Sequence, residues 1–265
     1  MKKIILIKLG GSVITNKSKP FTPRPEIIKN LTKQIKKAWD GGYRFIVSHG
    51  SGSFGHTSAS KYKTAEGIKK IEDVYGLAVV QSDALKINRI VNQIFLNEGL
   101  PVLSFVPSSF SVAKDGRLKD IYIEPIAEAL KIDSLPLVFG DIILDTKRGC
   151  TIFSGETTLD SLINPLKRLG ILVDKVIQCG NTDGVYDGKG KTIPLITEKS
   201  FLTLKKHIFS SSSTDVTSGM LHKIEESLLM AKKGIFSLII NGEKEDNLTK
   251  AIFGENFIGT KIYAN

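Results

Sequence analysis

Apolar residues gather in short continuous runs along the chain, from Lys3 to Leu9, Arg44 to Ser48, Pro101 to Phe105, Leu135 to Phe139, Leu172 to Gln178 and Ile235 to Ile240. Each run is rich in Ile and Val and shows no alternation. That is the pattern of strands buried on both faces, as in a parallel sheet covered by helices. Between the runs the spacing becomes helical. The stretch Pro25 to Trp39 places Ile27, Ile28, Leu31, Ile35 and Ala38 on one face, and Glu72 to Asn97 repeats Leu77, Val80, Ala84, Ile87, Val91 and Ile94 every three or four residues. Further helices are predicted over Ile123 to Lys131, Thr157 to Leu169 and Gly219 to Lys233, the last stopped by Gly234. Strands and helices alternating in this way predict an α/β fold, a three-layer αβα sandwich with a mostly parallel central sheet. Two hairpins are expected, one at Lys114-Asp115-Gly116-Arg117 and one where Asp145 to Gly149 separates two short apolar runs. A break near Gly170 to Leu172 divides the chain into two functional halves of one sheet, 1–170 and 171–265, and nothing there reads as a linker. The run Ser210 to Ser213 reads as a surface loop, and its place before Thr214 leaves open a loop over a site.

The 265 residues suffice for one or two domains, and 41% apolar composition excludes a disordered chain. No apolar run approaches the roughly 20 residues of a membrane span. The N-terminal apolar stretch is broken by Lys8 and lacks a small-residue cleavage site, which argues against a signal peptide. Cys150 and Cys179 form neither a disulfide framework nor a metal-ligand spacing, so a cytoplasmic protein is expected. Lysines and arginines number 37 against 27 acids, a net charge of +10. Nucleic acid, lipid or a small anion would each account for the excess, and so would a lysine-rich proteome. Aromatic residues are not interleaved with basic ones, which disfavours nucleic acid.

Four glycine-containing turns follow apolar strands. In Lys8-Leu9-Gly10-Gly11-Ser12 the glycines expose backbone N–H groups to an anion, and Lys8 is a charge inside an apolar strand. In His49-Gly50-Ser51-Gly52-Ser53-Phe54-Gly55-His56 the glycines match a dinucleotide fingerprint, but no second strand ending in an acid follows, so a nicotinamide enzyme is disfavoured. His56 is placed to donate a hydrogen bond to a bound anion. The third turn is Gly180 to Tyr186. The fourth segment, Thr214 to Met220, is expected to present a helix N-terminus to a phosphate with Lys223 just inside it. Walker, protein-kinase, serine-hydrolase and metal-site signatures are absent from the sequence.

Lys8 to Ser12, Asn181 to Tyr186 and Thr214 to Lys223 together resemble the amino acid kinase superfamily over nearly the whole chain. Val13 to Lys17, His49 to His56 and Phe139-Gly140-Asp141 resemble, within it, the isopentenyl phosphate kinases; His56 is the specific mark, shared with the related fosfomycin kinases. The resemblance implies a single amino acid kinase domain that joins the γ-phosphate of ATP to isopentenyl phosphate, with Mg2+ bridging the ATP phosphates, in a homodimer with no nucleic-acid or membrane partner. It implies that Lys8, Gly10, Gly11 and Ser12 hold the ATP phosphates and that Lys17 lies near the transferred group. Ser51, Gly52, His56 and Gly140 would bind the acceptor phosphate, and Asp183, Gly219 and Lys223 would serve the nucleotide. The hydrocarbon tail needs an apolar wall, expected from Leu77 and Val80. Glu156 stands where many members have aspartate; either it or Asp160, one helical turn on, would orient the lysines.

Overall fold

β1 (Ile4–Leu9) is buried along its whole length although its fifth residue is Lys8, so a charge lies in the middle of the fold. The computed structural model describes residues 3–208 and 214–264, with the side chains of 206–208 and 214–218 excepted. After β1 come α1 (Gly11–Ile14), α2 (Pro25–Asp40), β2 (Phe45–His49), α3 (Gly52–Tyr62), a 3-10 turn (Thr64–Glu66), α4 (Asp73–Asn97), β3 (Val102–Ser104) and α5 (Pro107–Phe110). The middle of the chain forms β4 (Ser111–Lys114), β5 (Arg117–Ile121), α6 (Glu124–Lys131), β6 (Leu135–Phe139), β7 (Asp141–Asp145), β8 (Gly149–Phe153) and α7 (Gly155–Arg168). It closes with β9 (Val173–Gly180), β10 (Leu195–Thr197), α8 (Glu198–Ile208), α9 (Thr214–Lys232), β11 (Phe236–Asn241), α10 (Asn247–Phe253) and β12 (Gly259–Tyr263).

The large sheet has the order β10-β12-β11-β9-β1-β2-β6-β3. From β11 to β3 every pairing is parallel, and only β12 against β11 is antiparallel. Alternate residues supply the two faces. Ile5, Ile7 and Leu9 pack with α2, α4 and α10, whereas Ile4 and Leu6 pack with α6, α7 and Met230 of α9. This is the expected αβα sandwich. Because Leu9, His49 and Phe139 are in register, and Leu9 is in register with Cys179, the turns after β9, β1, β2 and β6 emerge side by side at the carboxyl edge. Ligands of open α/β sheets bind at that edge.

A second sheet, β5-β4-β7-β8, grows from the end of β6 through Gly140. Both expected hairpins are there, Lys114 facing Arg117 and Asp145 facing Gly149. Asp145 joins them by accepting the N–H groups of Asp115, Gly116, Lys147 and Arg148, at 2.9, 2.6, 2.8 and 3.0 Å. Ile142 and Cys150 on one face meet Val80 of α4, with Leu77, Ala59 and Ile68 packed around them.

Two expectations need correction. The glycine segment after β2 is a helix from Gly52 onward, not a loop, so His56 is carried by α3. Helix α9 begins at Thr214, so Lys223 lies well inside it and not beside its terminal N–H groups. The serine run 210–213 lies outside the described residues.

Candidate active site

The first two glycine turns are in backbone contact. A β-carbon on Gly11 would lie 2.8 Å from the Gly52 backbone, and one on Gly50 would lie 2.9 Å from the Gly11 nitrogen. Gly52 has φ +51°, and a β-carbon there would meet the Thr15 hydroxyl at 2.1 Å, so no other residue fits. Thr15 Oγ1 accepts from the Ser53 N–H at 2.9 Å and donates to Gly11 O at 2.7 Å, sewing one turn to the other. Ser51 and Gly52 open α3, where N–H groups lack intrahelical acceptors and the helix dipole favours an anion. His56 is exposed and lies four residues after Gly52, on the same face of α3. Gly140 closes this side, its N–H donating to His49 O at 2.8 Å.

Cations surround the turns. Lys8, 5% exposed, donates to Glu156 Oε1 in a buried ion pair between β1 and α7. Burial works against ionisation of Glu156, but the charge and hydrogen bond of Lys8, helped by the charge of Lys223, outweigh it and hold the carboxyl below its ordinary range. Lys223 reaches from α9 so that its Nζ is 3.2 Å from where a β-carbon on Gly180 would be. Burial, the charge of Lys8 and, more weakly, that of Lys17 lower its pKa to about 8, with Glu156 opposing. Lys17 itself is exposed on the segment after α1. Asp160 is engaged elsewhere, with Lys233 at 2.6 Å, so of the two candidate acids it is Glu156 that meets a site lysine.

Beyond the ends of β9 and β11, Asp183 accepts from Lys244 Nζ at 2.7 Å and from Asn241 Nδ2 at 2.8 Å, which keeps its carboxyl below the ordinary range. Gly219 is exposed on α9, one turn before Lys223, with open space where a side chain would project. Ser12 O accepts from Arg24, which also pairs with Glu243. Leu77 and Val80 lie together on the side of α4 that meets the second sheet. Thr15, His49 and Lys244 were assigned no role from sequence. Each makes a hydrogen bond to a residue distant in sequence, Thr15 to Ser53, His49 to Asn88 and Lys244 to Asp183, which no local pattern announces.

A family model described as "Amino acid kinase family" matches residues 3–241. The chain belongs to the amino acid kinase family. Within that family it is similar to proteins named isopentenyl phosphate kinase. One, from Methanothermobacter thermautotrophicus, is 35% identical with 98% of both chains covered. Another, from Methanocaldococcus jannaschii, is 32% identical with the same coverage. A solved structure titled "X-ray structures of isopentenyl phosphate kinase" superposes with a TM-score of 0.81 at 30% identity, covering 98% of this chain and all of that one. Among the described residues no helix is long and apolar enough to cross a membrane.

Proposed function

We propose that the protein transfers the γ-phosphoryl group of ATP to a phosphate oxygen of isopentenyl phosphate, releasing ADP and isopentenyl diphosphate. The observation that carries this reading is the backbone contact between two glycine turns, one flanked by Lys8 and the other opening the helix that carries His56, which offers adjoining cradles for two phosphate groups. Phosphoryl transfer needs little covalent help from a protein; it needs donors and cations where negative charge develops. Lys8, Gly10, Gly11 and Ser12 hold the ATP phosphates, and Lys17 and Lys223 face the group in transit. Ser51, Gly52, His56 and Gly140 hold the acceptor phosphate. Asp183 and Gly219 serve the nucleotide. Nucleotide contacts thus come from the turn after β1 together with 171–265, and acceptor contacts from 1–170, of a single domain. No base is required, since a phosphate monoester with a second pKa near 6 is already ionised; His56 donates a hydrogen bond and abstracts nothing.

Among the described residues no group of three acidic, histidine or cysteine side chains is placed to hold a metal. Glu156 is committed to Lys8. Magnesium would come with the nucleotide as MgATP and would supply charge neutralisation at the phosphates. The cluster of Leu77, Val80, Ile142 and Cys150 supplies the apolar wall for the isopentenyl chain, worth about 0.8 kcal/mol per buried CH2. The buried, unbridged Cys150 and Cys179 accord with a cytoplasmic enzyme. The expected assembly is a homodimer, and a sedimentation mass of one chain overturns it.

The assay is ADP release and diphosphate formation, followed by 31P NMR, across a panel of small phosphates and phosphonates. Turnover of isopentenyl phosphate is expected. Turnover of a phosphonate such as fosfomycin, with none of isopentenyl phosphate, overturns the acceptor and leaves the family standing.

A further inference from the structure

His49 ends β2, is wholly buried, and stands outside the chemistry described above. Its Nδ1 lies 3.0 Å from Gly50 O. A carbonyl only accepts, so Nδ1 carries the proton. Its Nε2 lies 3.1 Å from Asn88 Nδ2, and with the proton on Nδ1 it accepts from that amide. The ring also stacks on Phe139, with centroids 5.5 Å apart and planes 13° apart. One tautomer alone satisfies both nitrogens. Burial, assisted by the charge of Lys8 and opposed by the Gly50 hydrogen bond, lowers the pKa to about 4, so the ring is neutral across the physiological range.

The consequence lies in the next peptide. The described residues contain no cis peptide bond, and in a trans unit the C=O and the following N–H point in opposite directions. With Gly50 C=O drawn to the His49 ring, the Ser51 N–H is turned away from that ring at the mouth of α3. The preceding peptide is pinned as well, since Gly50 N–H donates to Leu9 O at 3.0 Å. We propose that His49 is a positioning residue which, through the Gly50 carbonyl and held by Asn88, aims the Ser51 N–H at the acceptor phosphate. This rests on the acceptor role proposed for Ser51. A flipped peptide would present a carbonyl oxygen to the anion instead.

The test uses 15N NMR of the full chain with inorganic phosphate as probe. In the wild type the His49 proton is expected on Nδ1, and the Ser51 amide signal is expected to move on phosphate addition. His49→Phe keeps the ring and its stacking but removes the donor. The Ser51 response should be lost in that variant, and KM for the acceptor should rise roughly tenfold or more, the scale of one hydrogen bond to a charged group, with KM for ATP unchanged. His49→Gln, which retains a donor, should recover part of the response. Should His49→Phe not fold, Asn88→Leu keeps the ring but releases its tautomer, and should populate the Nε2 proton and weaken the Ser51 response. A proton on Nε2 in the wild type, or a wild-type Ser51 response in these variants, overturns the proposal. Absent turnover of isopentenyl phosphate alongside a His49-dependent phosphate response supports the positioning role and overturns only the choice of acceptor.

Discussion

Lys8 and Glu156 are 148 residues apart in sequence and form a buried ion pair across β1 and α7. Lys223 senses both, repelled by the first and attracted by the second. Glu156 therefore lets two cations share one small volume.

Removing that charge while keeping the shape isolates its effect. Glu156→Gln leaves Lys8 buried without a counter-ion, and breaking such a pair from one side costs about 3 kcal/mol or more. A lower melting temperature and a fall in kcat are expected. Glu156→Asp, charged but shorter, should recover much of both. An unchanged melting temperature in the glutamine variant refutes the role.

The lowered pKa of Lys223 predicts a pH dependence. If the cation binds phosphate, kcat/KM falls as pH rises through about 8, where free enzyme loses that proton. Bound phosphates favour the charged form, so the same limb in kcat should lie at higher pH. Lys223→Arg, which stays charged, should abolish the limb, and Glu156→Gln should move it to lower pH. A flat kcat/KM profile between pH 7 and 10 contradicts the assignment.

His56 is expected to act mainly when charge develops on the transferring group. His56→Ala should lower kcat by roughly 10²-fold, the scale of one oriented donor, with ATP affinity little changed; His56→Gln should restore part. Near-normal kcat in the alanine variant makes the histidine a bystander.

Leu77→Ala and Val80→Ala test the apolar wall. Each should raise kcat/KM for geranyl phosphate relative to isopentenyl phosphate by opening the pocket. Residues that only fill the core would lose stability and leave the ratio alone. The ratio of specificity constants, with melting temperature as control, distinguishes the two roles, and an unchanged ratio in both variants removes α4 from the pocket.

The centre of the sheet was legible because β1, β2 and β6 are buried on both faces and so read as unbroken apolar runs; β6 spans Leu135–Phe139, the run expected. The turns were legible because contact between backbones demands glycine. Helix α3 was not, since Gly52, Ser53, Gly55 and Ser58 are poor helix formers and its order comes from Phe54 in the core and from Thr15. The start of α9 was hidden for a similar reason, its first turns being polar and carrying Gly219. β12 went unrecognised because it buries only Thr260 and Ile262, and β10 because its three residues bury only Ile196. The partner of Lys8 was legible only as a choice between two acids on one helix, which the packing of α7 resolved.

The contact between Gly11 and Gly52 has a consequence for how such an enzyme diversifies. No side chain separates the two cradles, so no single substitution can tune the spacing between donor and acceptor phosphates by small steps; any larger residue there collides with backbone. The reactive geometry is inherited whole or lost. New acceptors have to be accommodated farther out, on α4 and the β7–β8 hairpin, where side chains of many sizes can be exchanged without disturbing the place where the bond is made.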